Sequence, residues 1–311
     1  SNTYNLSDSV VNLVAAPTAV GNGAGTIAAS GTATMSQVNT IEAFTNSGSN
    51  SYTNITDTAA NLATSTNDVV TKAGTVIAST DATFAQANAI ALHAKAVSYS
   101  IRDTALNLTS DTTASGNRAR NEAINITATD NATVAQATTI DTATNTGNNT
   151  YNLVDTAAAL NGASTSVGNG AGTITATTAA TVVHATKIES FTNTGSNTYD
   201  ISDTAANLVA SSDAVLSLAR TVFSTVPTTQ SQADTLGGVT GSPPRTKAFV
   251  ISDTAANLVA STDAVLGRAS KVIATTIPSS PNATTLAGRT TTYDISDTAT
   301  NLAASSQTLL G

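Results

Sequence analysis

The stretch Tyr199-Asp200-Ile201-Ser202-Asp203-Thr204-Ala205-Ala206-Asn207-Leu208 decides the fold, because it recurs along almost the whole chain. Its last six residues are repeated identically from Asp57 and Asp253, and close variants begin at Asp8, Asp103, Asp155 and Asp297. The successive aspartates lie 49, 46, 52, 48, 50 and 44 residues apart. The chain is therefore a tandem repeat with a period of about 48 residues, in which the length differences fall in loops.

Each repeat contains two different halves. The A half carries the stretch quoted above, and its copies start near residues 4, 52, 99, 151, 199, 249 and 293. The B half follows each of the first six A halves and opens with a β-branched pair such as Val272-Ile273. The chain thus holds seven A halves and six B halves.

Three columns of residues are held nearly constant by the repeats themselves. The A half has a leucine five residues after its aspartate, in Leu13, Leu62, Leu108, Leu160, Leu208, Leu258 and Leu302. An asparagine comes one residue earlier, in Asn12, Asn61, Asn107, Asn207, Asn257 and Asn301. The B half has a column of mostly glutamine, in Gln37, Gln86, Gln136, His184, Gln232 and Asn282. We predict that the leucines stack in the core and that the amides form hydrogen-bonded ladders between neighbouring halves.

The local pattern predicts short strands and short helices. The alternation of Tyr199 and Ile201 predicts a strand with one buried face. Asp203 then stands where a helix N-cap is expected. Residues 205–219 favour a helix with a break at Ser211-Ser212, and residues 132–140 are compatible with one or two helical turns.

Stacking of these halves predicts the fold class. No half of about 24 residues can bury its own apolar face, whereas stacked neighbours can. We therefore predict one elongated β-solenoid over residues 1–311, similar to a parallel β-helix, with helical turns in its coils and about six and a half repeats. Residues 227–247 depart most from the pattern and are predicted to be an irregular loop insertion.

Composition excludes several classes of function. A net charge of −8 disfavours binding to nucleic acid, which requires lysine and arginine to neutralise phosphates. No apolar run is long enough to span a membrane. The absence of cysteine excludes disulfides and thiolate metal sites.

No residue pattern indicates catalysis or a cofactor, so the sequence predicts a protein that is not an enzyme. The repeat aspartates are interpreted as helix caps, and calcium binding by Asp203, Asp253 and Asp297 is the alternative. Residues 20–25 recur as residues 167–172, and this glycine-rich pattern is interpreted as a turn, since no Lys-Ser/Thr follows it. Glu42 and Glu189 occupy equivalent repeat positions and are interpreted as structural.

The phrase Tyr-Asp-Ile-Ser-Asp-Thr-Ala-Ala-Asn-Leu resembles repeats of large secreted bacterial surface proteins and adhesins, from cyanobacteria and proteobacteria. Such proteins are often exported by type I secretion beside calcium-binding repeats-in-toxin segments. The resemblance implies an extracellular or cell-surface location. Because this chain lacks the calcium-binding nonapeptides, calcium binding is not carried over.

Three hypotheses of function follow. The first is a structural segment of an extracellular bacterial filament, surface layer or matrix. In that case its partners are copies of itself or flanking repeats, because open strand edges pair unless they are capped. The second is an adhesin stalk or a module that binds a glycan or another surface ligand. The third is an ice-binding protein, suggested by Thr127-Ala128-Thr129 and Thr175-Ala176-Thr177.

Overall fold

The repeats seen in the sequence are repeats of structure. The computed structural model describes residues 4–238, 246–267, 269–287, 291–292, 298, 300 and 303. Each of the six complete repeats runs in the order strand, two short helices, strand, helix, and in the fifth and sixth repeats a further short strand precedes this series. The A half supplies the first strand and two helices, and the B half supplies the second strand and the third helix.

The strands are short and evenly spaced along the chain. They are β1 Tyr4–Ser9, β2 Ala24–Ala33, β3 Asn50–Asp57, β4 Ala73–Ala78, β5 Ile101–Asp103, β6 Ile126–Ala132, β7 Asn149–Asp155, β8 Ala171–Ala176, β9 Asn197–Thr198, β10 Ile201–Asp203, β11 Thr221–Ser224, β12 Thr246–Ala248, β13 Val250–Asp253, β14 Lys271–Ala274 and β15 Thr291–Thr292.

The helices between them have four to nine residues. They are α1 Val10–Val14, α2 Thr18–Asn22, α3 Met35–Glu42, α4 Ala59–Ala63, α5 Asn67–Thr71, α6 Phe84–Ala91, α7 Ala105–Thr109, α8 Ala114–Glu122, α9 Val134–Asp141, α10 Ala157–Gly162, α11 Thr165–Gly170, α12 Val182–Glu189, α13 Ala205–Ala210, α14 Asp213–Leu218, α15 Gln230–Gly238, α16 Ala255–Ala260, α17 Asp263–Leu266 and α18 Ser280–Leu286.

A threonine begins most of the A-half helices. Thr204 has extended backbone angles, and its hydroxyl accepts a hydrogen bond from the Asn207 N–H. This is the usual N-cap arrangement, in which a side-chain oxygen satisfies one of the free N–H groups of the first turn. The prediction that Asp203 is the N-cap is therefore wrong by one residue, since Asp203 lies just before the cap. The predicted break at Ser211-Ser212 is confirmed, because α13 ends at Ala210 and α14 begins at Asp213.

All described strand pairs are parallel. In the first sheet the strands lie in chain order, β1-β2-β3-β4, and the sheets β10-β11-β12 and β13-β14-β15 follow the same rule. In the fourth sheet β5 pairs with β6, β6 pairs with β7, and β8 pairs with β9. The register places apolar residues opposite one another, as in Ile55 with Val76 and Ile101 with Ile126.

The prediction of a β-solenoid of stacked coils is wrong. The described strands form four separate small sheets, and eighteen helices accompany them in the same residues, so the architecture is mixed α/β. The physical reason lies in the junctions. After β4, only isolated bridges continue the ladder, from Ile77 to Ser98 and from Ala82 to Ile101. The segments predicted as helical turns within the coils are helices, and they separate most of the consecutive strands.

The core consists mostly of small and medium-sized aliphatic side chains in repeated positions, together with buried aromatic rings such as Tyr99, Tyr151 and Tyr199. The predicted leucine column lies inside it, since Leu62, Leu108, Leu208 and Leu258 are fully buried. Burying a leucine side chain contributes about 1.5–3 kcal/mol relative to leaving it exposed. Helices of five or six residues are too short to be stable in isolation. Packing of these leucines against the neighbouring B-half helix therefore holds the A-half helices in place.

Internal contacts divide the chain into two compact units. One contains Ser1–Leu153 and Gly170–Gly172, and the other contains Val154–Asn169 and Thr173–Gly311. In the predicted insertion 227–247, α15 covers Gln230–Gly238 and β12 includes Thr246 and Lys247. Residues 239–245 of that stretch lie outside the described residues.

Candidate functional site

The most regular polar feature is the aspartate at the end of each A strand. Asp203 leaves β10 with its carboxylate between two helices. Oδ1 accepts hydrogen bonds from the N–H of Thr204 and from the amide of Asn207, both at 2.7 Å. Oδ2 accepts the N–H of Val182, the first residue of α12 in the preceding B half, at 2.9 Å. One carboxylate thus orders its own helix and holds the start of the previous one.

The same three bonds recur in four repeats, and we call this arrangement the aspartate clasp. In each, Oδ2 accepts the first N–H of the preceding B-half helix. The pairs are Asp57 with Met35, Asp103 with Phe84, Asp203 with Val182, and Asp253 with Gln230. The amides bound to Oδ1 come from the predicted asparagine column, in Asn61, Asn107, Asn207 and Asn257. These asparagines therefore bond to the aspartate of their own repeat.

The clasp also sets the charge state of the aspartates. Burial alone would raise the pKa of Asp203, but the hydrogen bonds from Val182, Asn207 and Thr204 outweigh it, and the pKa is lowered. The pKa values of Asp57, Asp103 and Asp253 are lowered in the same way, against the opposing effect of burial. Hydrogen bonds to the ionised form favour that form, so these carboxylates are held as anions.

A second set of contacts runs in the opposite direction. The first N–H of an A-half helix is bound by an oxygen of the B half that follows. The pairs are Ala59 with Thr80, Ala105 with Asp130, Ala157 with Thr178, and Ala255 with Thr276. Each half therefore supplies a side-chain oxygen that accepts a hydrogen bond from the first N–H of a helix in the neighbouring half. The first N–H groups of these helices, which have no partner within the helix, thus donate to oxygens elsewhere in the protein.

The glutamine column belongs to the starts of the B-half helices. Each glutamine oxygen accepts the backbone N–H of the threonine cap, and the threonine hydroxyl accepts the glutamine N–H, which is a capping box. The pairs are Thr34 with Gln37, Thr83 with Gln86, Thr133 with Gln136, and Thr229 with Gln232. His184 takes this position in α12, where its N–H donates to the Thr181 hydroxyl. Its Nδ1 is buried and has no hydrogen-bond partner among the described residues.

The calcium alternative concerned Asp203, Asp253 and Asp297. The carboxylates of Asp203 and Asp253 each accept three hydrogen bonds from the protein. Asp297 lies outside the described residues. Among the residues that the structure describes, no three His, Asp or Glu side chains come together as a metal site would require.

The glycine-rich stretches are not simple turns. Residues 20–22 lie in α2, and residues 167–170 lie in α11. A Cβ on Gly21 would overlap the ring of Phe44, and a Cβ on Gly168 would overlap that of Phe191. These glycines are required because an aromatic ring packs directly on the helix backbone. Phe44 and Phe191 both belong to a second repeated sequence, Ile-Glu-x-Phe-Thr-Asn. The prediction of a turn did not take this sequence into account.

Glu42 and Glu189 share a repeat position but have different surroundings. Glu42 accepts the hydroxyl of Tyr52 at 2.7 Å and forms an ion pair with Lys72 at 2.7 Å. Burial, followed by the hydrogen bond to Glu42 and its charge, raises the pKa of Tyr52. In contrast, Oε1 of Glu189 is buried and has no hydrogen-bond partner in the described residues. The contacts of Glu42 with Tyr52 and Lys72 are consistent with a structural role for Glu42.

Arg120 is a buried charged residue that was not among the predicted site residues. Its side chain is 1% exposed and lies 5.2 Å from the centre of the Phe84 ring. The guanidinium donates to the carbonyl oxygens of Leu108 and Asp111 and to the side-chain oxygen of Asn117. Arg120 thus binds one carbonyl at the end of α7, that of Leu108, and one in the loop between α7 and α8, that of Asp111. No feature of the surrounding sequence distinguishes Arg120 from Arg118, which lies two residues earlier and is exposed.

A shallow polar groove lies between α3 and α4. Its volume is about 660 Å³, and its lining includes Asn39, Thr40, Thr64 and Thr66. None of the residues that line it is charged. The threonine pairs considered for ice binding lie elsewhere: Thr127 and Thr129 lie in β6, whereas Thr175 lies in β8 and Thr177 follows its end.

The sequence matches no protein-family model, and it matches no curated protein. None of the helices in the described part of the chain is both long enough and apolar enough to span a membrane.

Proposed function

We propose that the chain is a structural repeat segment of an extracellular bacterial assembly, such as a filament, a surface layer or a matrix. The observation that carries the proposal is the aspartate clasp. The carboxylate of each clasp accepts three donors of the protein itself. A residue retained in every repeat for catalysis would instead present a free oxygen to a substrate.

The surface composition supports the same proposal. The chain has 10% charged residues and a net charge of −8, and many of its exposed positions hold threonine, serine or asparagine. Such a surface is hydrated without strong attraction for nucleic acid. The resemblance of the repeated phrase to bacterial surface proteins supports the extracellular location.

Location and assembly can be tested together. Antibodies raised against the purified chain are applied to intact cells of the source organism, and the labelled material is viewed by negative-stain electron microscopy. We expect labelling of unpermeabilised cells on ordered surface material. Labelling only after permeabilisation, or a hydrolase activity of the purified chain that Asp57→Asn abolishes, would contradict the proposal.

The groove between α3 and α4 favours a second candidate, which is binding of a neutral glycan. Apart from Met35, the side chains that line it carry hydroxyl or amide groups, and these groups can donate to and accept from sugar hydroxyls. A glycan array should then give a signal that Asn39→Ala removes. The matched control is Thr138→Ala, because Thr138 is the fifth residue of α9 as Asn39 is the fifth of α3. Equal effects of both substitutions would exclude the groove.

A further inference from the structure

The sheets β10-β11-β12 and β13-β14-β15 carry apolar side chains on their outer face. In β11 and β14, Phe223 and Ile273 each follow a buried valine, so their side chains point away from the core. Phe223 is 48% exposed, and Ile273 is partly exposed. The equivalent positions of β2, β4 and β6 hold Ala28, Ile77 and Thr127. Large apolar side chains therefore stand at this position in two successive B strands, β11 and β14.

Val250 joins these two residues into one patch. Only Phe249 separates β12 from β13 along the chain, and β12 pairs with β11 whereas β13 pairs with β14. Val250 is partly exposed and lies opposite Lys271, which precedes Ile273 by two residues and shares its side of the sheet. Phe223 and Ile273 thus lie on either side of one A strand, two strand spacings or about 10 Å apart. We call Phe223, Val250, Lys271 and Ile273 the Phe223 face.

Neighbouring repeats do not cover the Phe223 face. Their strands join one another at the edges by parallel pairing, and this extends a sheet in its own plane. The side chains of the face stand perpendicular to that plane. The face is therefore exposed whichever repeats precede or follow it. Exposed apolar side chains that cluster in this way are typical of a surface that contacts another molecule.

Charge indicates which molecule covers the Phe223 face. Lys271 is exposed, and no carboxylate in the described part of the chain forms an ion pair with it. Arg220, just before β11, has a side chain that is 56% exposed and pairs with Asp200. Residues 220–289 contain six Lys or Arg and three Asp or Glu, a net charge of +3, whereas residues 1–219 contain six and fifteen, a net charge of −9. A second copy of the chain therefore offers the opposite charge, outside its own Phe223 face.

Two aspartates of the first unit match the spacing of these cations. Asp81 and Asp130 are exposed and lie in successive B halves, just after β4 and near the end of β6. The A strand β5 lies between them, as one A strand lies between Arg220 and Lys271. Each pair is thus separated by two strand spacings, or about 10 Å. Ile77, 43% exposed and four residues before Asp81, offers an apolar contact beside the charge.

We propose that the Phe223 face binds a second copy of the chain, with Lys271 beside Asp81 and Phe223 against the apolar surface around Ile77. Asp130 already accepts the Ala105 N–H, so Asp81 is the aspartate assigned to Lys271. The two surfaces differ, which makes the contact heterologous, and each chain of a dimer keeps one surface unused. Association therefore continues past the dimer. The inference deepens the proposed assembly role and rests on it, but the contact is measured on the purified chain and the location on cells, so each can fail alone.

Sedimentation velocity of the full chain over a range of concentrations tests the contact. We expect species larger than a dimer, and fewer of them at about 0.5 M than at about 0.02 M NaCl, because salt screens the charges. Phe223→Ser should weaken association about tenfold or more, since aromatic residues at the centre of an interface contribute most to binding. The matched control is Val183→Ser, which removes an apolar side chain that is 68% exposed on α12 and should have no effect.

An exchange of charges identifies the partner. Lys271→Glu and Asp81→Lys should each weaken association about tenfold or more, because each places like charges opposite one another. An equimolar mixture of the two variants should restore association, since the new glutamate of one chain then meets the new lysine of the other. Lys95→Glu changes the net charge as much as Lys271→Glu does and should leave association unchanged.

Four results would overturn the proposal. They are a monomer at every concentration, growth that stops at a dimer, association that Phe223→Ser leaves unchanged, and failure of the mixed variants to associate. Flotation of the chain with phosphatidylglycerol vesicles that Phe223→Ser abolishes would also overturn it, because the occupant of the Phe223 face would then be a lipid surface.

Discussion

At the scale of single residues, Gly21 in α2 has no room for a side chain, whereas Gly162 in α10 does. Gly21 lies under the ring of Phe44, whereas nothing lies within 4 Å of where a Cβ on Gly162 would be. We predict that Gly21→Ala destabilises the protein by about 1–3 kcal/mol, the usual cost of overpacking. Gly162→Ala, also in a helix, should instead stabilise it by about 0.5–1 kcal/mol. Urea denaturation followed by circular dichroism measures both, and equal signs would contradict the prediction.

Arg120 offers a test of a buried charge whose partners are carbonyl oxygens. Burial lowers the pKa of Arg120, and the nearby charge of Asp111 opposes this effect. Arg120→Met leaves two carbonyls without their donor, so we predict a loss of about 1–3 kcal/mol. The control is Arg118→Met, whose exposed ion pair with Glu122 should matter by less than about 0.5 kcal/mol. A stability of Arg120→Met equal to that of the control would show that its hydrogen bonds contribute nothing.

At the scale of elements, the capping interactions at the helix N-termini determine where the helices begin. The Thr133 hydroxyl accepts the backbone N–H of Gln136, and the side-chain oxygen of Gln136 accepts the backbone N–H of Thr133. Removing an N-cap side chain costs about 0.5–2 kcal/mol. We predict that Thr133→Ala lowers stability by this amount and that Thr133→Ser restores most of it. Thr138→Ala, on the exposed side of the same helix, should have little effect. Hydrogen exchange should place the loss of protection in α9.

The sequence predicted these elements better than their connections. The columns of leucine and glutamine were visible because the repeats can be compared with one another, and both occupy regular positions in the fold. The N-cap was assigned one residue too early, because aspartate and threonine are both good caps and stand side by side. The reach of Asp203 to Val182 could not be predicted, since it depends on how two halves pack.

At the scale of the whole molecule, periodicity indicated parallel neighbours but did not indicate where the sheets end. A sheet continues only where successive strands are joined by several consecutive backbone hydrogen bonds. Between β4 and β5 the link is reduced to isolated bridges, from Ile77 to Ser98 and from Ala82 to Ile101. The solenoid prediction failed for this reason. Arg120 escaped prediction similarly, since nothing in its repeat position marks it as buried.

The aspartate clasps predict how the whole molecule responds to acid. The pKa values of Asp57, Asp103, Asp203 and Asp253 are lowered by their hydrogen bonds, although burial opposes the shift. A lowered folded-state pKa lies below the unfolded value of about 3.9. The stabilisation is therefore fully present above that pH and is lost as the pH falls through the folded-state values. Unfolding by urea should shift to lower concentrations below about pH 4, with little change between pH 5 and 7.

The clasps, rather than carboxylates in general, should cause this acid sensitivity. The double variant Asp57→Asn with Asp103→Asn should be less stable at pH 7, because a donor replaces the acceptor that holds Met35 and Phe84. Its stability should then fall less steeply between pH 5 and 2 than that of the unmodified chain, because two of the protonation-linked groups are gone. Asp81→Asn should keep the original steepness. An unchanged slope in the double variant would show that other carboxylates dominate the acid response.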